Sequence, residues 1–125
     1  MNDERLREYR GLVGVQLQFE EKGDTHKVME MQHELEKWVA LQIQTDIVLA
    51  WQGMKAHPMH EVNCSMTVAE KKAYRMLVAE AMKIYYDGGF IQWSQQQEKI
   101  ELFIQGAIDK HVLDATRTSI TISQN

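Results

Sequence analysis

The segment 55–66, KAHPMHEVNCSM, holds the single proline and the single cysteine of the chain, together with two of its five histidines. His57, His60 and Cys64 are spaced closely enough for one loop to offer imidazole and thiolate ligands to zinc. A structural zinc site needs four ligands, and antiparallel packing of the last two helices would bring His111 to this loop as the fourth. The alternative is a polar loop between two helices, with His111 as a hydrogen-bonded core histidine.

Two pairs of side chains have metal-ligand spacing but lack the rest of a site. Glu30 and His33 have the Glu-x-x-His spacing of di-iron helical bundles, yet no second such motif occurs and both are expected to face solvent. Glu98 and Glu101 lie one turn apart, as in all-α nucleotide pyrophosphohydrolases that hold magnesium, but the E-x-x-D partner motif is missing from the predicted helices. Solvated helix faces account for both pairs.

The sequence also lacks the recognisable motifs of nucleophilic and nucleotide chemistry. It contains no G-x-S-x-G, no P-loop and no dinucleotide fingerprint. Cys64 has His60 nearby in the sequence, but nothing supplies a third group to orient such a pair. An enzyme is therefore the less favoured function class.

Apolar residues at helical spacing predict an all-α fold, a four-helix antiparallel bundle-like domain that spans residues 1–125. The helices are predicted at about 3–21, 25–56, 68–86 and 95–113, followed by a tail, 114–125.

Turn and capping residues set most of these bounds. Gly23 followed by Asp24 predicts a tight turn between the first two helices. Thr67 with Glu70 predicts a capping box at the start of the third helix. Asp87 and two following glycines end that helix, and Ser94 is the predicted N-cap of the fourth.

The second helix has an unusual apolar pattern. Its first half presents Val28, Leu35 and Trp38 on one stripe, and its second half presents Ile47 on a stripe rotated by about 120°. Asp46 would interrupt the first stripe. Either the helix kinks near 42–46, or one long helix faces different partners along its length. The second alternative favours a dimer.

The tail carries Ile120 and Ile122 in alternation with small polar residues. This pattern predicts either a short β-strand or a segment that orders only against another surface. Combined with the apolar excess of the second helix, it predicts an interface made of Trp38, Ile43, Ile47, Trp51, Met54, Ile120 and Ile122. Core filling is the competing explanation for the tryptophans and methionines.

Composition limits the remaining function classes. A formal net charge of −4 disfavours nucleic-acid binding. A single cysteine fits a reducing compartment, and neither a signal peptide nor an apolar run of membrane length is expected. We therefore expect a cytoplasmic protein, or one working in a host cytoplasm if it is phage-encoded.

The leading functional hypothesis is a non-enzymatic protein–protein interaction module, an inhibitor, adaptor or assembly factor that binds another protein and forms a homodimer. No cofactor is expected under this hypothesis. The alternatives are a small zinc-binding protein that uses the 57–64 loop, and a magnesium-dependent nucleotide-handling helical enzyme built around Glu98 and Glu101.

Overall fold

A computed structural model describes the backbone of residues 1–58, 65–117 and 119–121. Four helices dominate it: α1 (Asp3–Glu21), α2 (Thr25–Met54), α3 (Val68–Asp87) and α4 (Gly89–Arg117). Two three-residue strands, β1 (Ala56–Pro58) and β2 (Ser119–Thr121), accompany them. The predicted all-α fold class is confirmed.

Side-chain caps explain where the first three helices begin. The Asn2 side chain accepts a hydrogen bond from the Arg5 backbone N–H at 2.8 Å, and Asp24 caps α2 in the same way. At α3 the predicted capping box is present, because Thr67 and Glu70 each accept a hydrogen bond from the other's backbone N–H. These contacts satisfy N–H groups that have no partner inside the helix.

The second helix is one uninterrupted α-helix of 30 residues. It ends at Met54, two residues before the predicted bound, because Lys55 adopts the left-handed conformation with φ 51° and ψ 53°. The chain then continues as β1, so Ala56 lies in a strand and not in the helix.

The fourth helix is longer than predicted at both ends. It begins at Gly89, whose φ of 82° reverses the chain directly after the Gly88 C-cap of α3. Ser94, the predicted N-cap, therefore lies inside the helix. The helix also continues past Leu113 to Arg117, where the buried Ala115 packs against the core.

Polar contacts give the relative direction of neighbouring helices. Near the start of α1, Arg5 contacts Asp46 of α2, and near its end Gln16 contacts the Val28 carbonyl. These two helices therefore run in opposite directions. The core between the helices consists of Tyr9, Leu35, Trp38, Val39, Ile43, Ile47, Met66, Tyr74, Ala81, Ile100, Ile104, Ile108 and Ala115.

The two strands connect the end of α2 with the segment after α4. They pair antiparallel, with Ala56 opposite Thr121, His57 opposite Ile120 and Pro58 opposite Ser119. The pair therefore holds the backbone after α4 beside the backbone after α2.

Candidate interaction surface

The solvent side of the second half of α2 is apolar and uncharged. Its exposed residues, which we call the α2 outer face, are Leu41, Gln44, Thr45, Val48, Leu49 and Gln52. Leu41 is 55% exposed, Val48 40% and Leu49 57%. Spacings of seven and eight residues place Val48 and Leu49 two turns beyond Leu41, on the same side of the helix.

Asp46 is the single charged residue between Leu41 and Met54. Arg5 donates two hydrogen bonds to its carboxylate, Nη1 to Oδ2 at 2.9 Å and Nη2 to Oδ1 at 2.7 Å. The residue that interrupts the first apolar stripe in the sequence is therefore the anchor for the start of α1. Because this charge is neutralised within the chain, it adds no net charge beside the α2 outer face.

Three of the residues predicted to form an interface belong to the protein's own core. Trp38 is 6% exposed, and Ile43 and Ile47 have no exposed surface. They belong to the core cluster and are not accessible on the surface of the described chain. This result corrects the placement of the interface, because an apolar stripe indicates burial without indicating which surface buries it.

Trp51 and Met54 lie near the end of α2. Trp51 is half-buried against the core, and its indole Nε1–H donates to the Ala115 carbonyl of α4 at 3.3 Å. Met54 is 39% exposed and is therefore accessible. Ile120 has a described backbone in β2, but its side chain and the whole of Ile122 lie outside the described residues.

The predicted zinc ligands are only partly described. His57 contributes its backbone to β1, whereas its side chain, His60 and Cys64 lie outside the described residues. Among the described side chains, no three histidine, cysteine or carboxylate groups are close enough to hold a metal ion. Zinc binding by this loop therefore stays a prediction.

His111, in the second half of α4, contacts Glu70 in the first turn of α3. Its Nε2 is 2.8 Å from Oε1 of Glu70, and both side chains are largely buried. Burial would raise the pKa of Glu70, but hydrogen bonds from the Thr67 backbone and from His111 outweigh it and lower that pKa. His111 is thus a hydrogen-bonded core histidine in this structure.

In each of the two motifs considered for metal binding, one carboxylate is already engaged. On the exposed surface, Glu30 pairs with His26 at 2.9 Å. Arg10 donates Nε and Nη2 to the two carboxylate oxygens of Glu101, each at 2.8 Å. A carboxylate held by a guanidinium fork is a poor magnesium ligand, so this contact disfavours a magnesium site at Glu98 and Glu101.

A polar network crosses from α1 through α2 to α3, and sequence reasoning missed it. Arg75 donates to both oxygens of the buried Glu36 at 2.7 and 2.8 Å. Gln32 donates to Glu36 at 3.1 Å, and Gln16 donates to Gln32 at 3.0 Å. Burial alone would raise the pKa of Glu36, but the bonds from Arg75 and Gln32 lower it.

A second buried polar contact joins α1 to α3. The hydroxyls of Tyr9 and Tyr74 lie 2.8 Å apart, and neither ring has meaningful exposure. Burial is the main cause that raises the pKa of both phenols, so both stay neutral at physiological pH. Together with the Glu36 network, this contact holds α3 in place with directional bonds as well as apolar packing.

The chain matches no protein-family model, no curated protein and no solved structure. Within the described part of the chain, no helix combines the length and apolar character that crossing a membrane requires.

Proposed function

We propose that the protein is a non-enzymatic protein–protein interaction module that forms a homodimer through the α2 outer face. The observation that carries this proposal is a helix face three turns long with three exposed large apolar side chains and no charge. Exposed apolar surface that is not scattered singly is typical of association sites. We also propose that residues 1–125 form one antiparallel four-helix domain that works in the cytoplasm.

A second copy of the same chain is the occupant that this surface fits. In a two-fold symmetric dimer each residue meets the same patch of its partner, so any net charge on the patch would repel its own copy. The α2 outer face has no such charge, whereas the overall chain carries −4. Glutamine and threonine side chains at Gln44, Thr45 and Gln52 can exchange hydrogen bonds across such an axis.

In this proposal, the dimer occludes or bridges another protein, as an inhibitor, adaptor or assembly factor does. Pairing of the two α2 outer faces leaves α3 and α4 of each copy outward, where Met76 and Leu102 are 65% and 72% exposed. The partner protein is then contacted by two symmetry-related surfaces.

The test is Val48→Glu, which places a carboxylate at the centre of the proposed dimer contact. We expect the dimer dissociation constant to rise by roughly tenfold or more, because two like charges meet at the axis. Analytical ultracentrifugation over a concentration series measures it. Met76→Glu, an exposed apolar residue of α3, is the matched control and should leave self-association unchanged.

A native mass spectrum of protein purified without a histidine tag or chelator separates this proposal from the zinc alternative. A metal-free dimer supports it. A monomer at every concentration, with or without zinc, overturns it. One zinc per chain would favour the loop site, and alanine at His57, His60, Cys64 and His111 would then test the ligands.

A further inference from the structure

A pocket of about 360 Å³ opens between α1 and the first turns of α4. One wall is aromatic: the rings of Phe90 and Trp93 lie 6.1 Å apart between centroids, with planes inclined by 31°. Val13 adds apolar surface from α1. The polar lining consists of Arg10, Ser94, Gln97, Glu98 and Glu101. This volume and this mixture of an apolar wall with a few polar groups are typical of small-ligand sites.

The inner side of the pocket borders the core. A second cavity of about 20 Å³ lies among the core side chains and shares Val13, Trp93 and Gln97 with the lining of the larger pocket. A space of that size accommodates about one water molecule. Trp93 therefore packs against the core on one side, whereas Phe90, 77% exposed, is open to solvent.

The charges of the lining do not balance. Arg10 and Glu101 neutralise each other through their two hydrogen bonds. Glu98 makes no hydrogen bond or salt bridge with any described residue, so its carboxylate leaves the lining with one uncompensated negative charge. The pKa of Arg10 is raised, first by the Glu101 hydrogen bond, and the Glu98 charge contributes to the same shift. Glu98 therefore acts electrostatically on this pocket.

Gln97 adds a further acceptor. It is only 6% exposed and lines the pocket. Its Nε2 donates to Oε2 of Glu101 at 3.4 Å, while its side-chain carbonyl oxygen accepts no hydrogen bond from the described residues. Among the described residues no buried side-chain oxygen lacks a hydrogen-bond partner, so this carbonyl oxygen is accessible from the open pocket and can accept from a ligand donor.

We propose that this pocket binds an organic ammonium group. The cation lies against the faces of Phe90 and Trp93, where the ring quadrupoles attract positive charge, and Glu98 supplies the counter-charge. A hard divalent cation does not fit the same carboxylates, because it needs several oxygen ligands and Arg10 occupies Glu101. The site lies on α1 and α4, apart from the α2 outer face, so ligand binding here is independent of dimerisation through α2.

Choline and its uncharged isostere 3,3-dimethyl-1-butanol test the charge requirement. The readout is the Trp93 indole N–H signal in ¹H–¹⁵N spectra of the full chain, assigned by its loss in Trp93→Phe. We expect choline to shift this signal saturably. The isostere should bind at least about fivefold more weakly than choline. Equal shifts from the two compounds, or no shift from choline, would overturn the proposal.

Two exposed variants test the residues without endangering the fold. Phe90→Ala and Glu98→Gln should each weaken choline binding by about threefold or more. Leu102→Ala, 72% exposed on α4, and Glu80→Gln, exposed on α3, are the matched controls outside the lining and should bind choline like the parent chain. Unchanged binding by both pocket variants would contradict the assignment.

The ammonium group can belong to a free small molecule or to a lysine side chain of another protein. Nα-acetyl-lysine methylamide in the same titration distinguishes the two sources. Tighter binding of the lysine compound than of choline indicates a protein side chain, and tighter binding of choline indicates a small quaternary ammonium compound.

Discussion

The two halves of α2 bury similar apolar side chains but present different surfaces to solvent. Leu35 and Val39 in the first half, and Ile43 and Ile47 in the second, have no exposed surface. On the solvent side the first half carries charged residues such as Glu34, whereas the one charged residue of the second half, Asp46, is only partly exposed and is paired with Arg5. Buried apolar residues are common to both halves, so the charges on the outer side are what distinguish the two halves.

The halves also differ in how polar bonds attach them to the rest of the molecule. In the first half the buried Glu36 is bonded to Arg75 and Gln32. In the second half, Asp46 is bonded to Arg5 in a more accessible position, with about a quarter of its side chain exposed. We therefore expect the two attachments to contribute unequally to stability.

The largest expected effect on stability is at the inner side of the second half of α2, compared with its outer side. Ile43→Ala should lower the free energy of unfolding by about 2–5 kcal/mol, because it removes fully buried methyl groups and leaves a cavity. Leu41→Ala, two positions earlier and 55% exposed, should stay within about 0.5 kcal/mol. Urea denaturation measures both. Equal losses would mean that Leu41 is buried in solution.

A smaller effect is expected at the attachment of the first half. Glu36→Gln keeps the size of the side chain but removes the charge that Arg75 binds. It should lower the free energy of unfolding by about 1–2 kcal/mol. This loss is at the low end of the range for a broken buried hydrogen bond, because half of the Arg75 side chain is exposed and can be solvated. The same urea titration measures it, with Glu34→Gln on the exposed face as the matched control. A loss no larger than that of the control would contradict a stabilising Glu36 network.

The difference in stability between the parent chain and Glu36→Gln should depend on pH, because the pKa of Glu36 is lowered in the folded state. A carboxyl group whose pKa is lower in the folded state contributes stability above its unfolded pKa, and the contribution disappears as pH falls through the folded value. The parent chain and Glu36→Gln should therefore differ at pH 7 and converge below about pH 4.5. Denaturation at several pH values measures this, and a gap that widens on acidification would refute it.

The smallest effect is expected at Asp46. Asp46→Asn should cost about 1 kcal/mol or less, since partly exposed ion pairs contribute little even in two-bond geometry. Thermal unfolding at low and high salt checks it, because screening should reduce the difference from the parent chain. A loss as large as that of Ile43→Ala would show that the start of α1 depends on this anchor.

Local signals allowed much of the fold to be predicted. The bounds of α1, the Asp24 cap and the Thr67–Glu70 capping box depend on residues close in the sequence, and the structure contains all three. The start of α4 could not be predicted in the same way. Ser94 is an adequate N-cap residue, but the positive φ of Gly89 lets the helix begin earlier. Phe90 and Ile91 are exposed, so the first turn of α4 has no buried apolar face that would have revealed it in the sequence.

The candidate site was less predictable because it depends on contacts between distant segments. The apolar spacing predicts that Ile43 and Ile47 are buried, but not that the chain's own core buries them. It also gives no sign that Arg10 reaches Glu101, 91 positions away, or that Arg75 reaches Glu36. The sequence did contain a signal for the α2 outer face, because the run from Leu41 to Met54 has only one charged residue. The absence of charge on the side of the helix opposite the buried stripe would have identified this face.

The three tryptophans lie at three different levels of the helical packing and have different partners. Trp38 donates to Glu8 at 2.6 Å between α1 and α2, Trp51 donates to the Ala115 carbonyl at the end of α4, and Trp93 lines the pocket near its start. Variants that keep one indole each would give three fluorescence reporters. Their emission would show whether the two ends of α4 detach together or separately during denaturation.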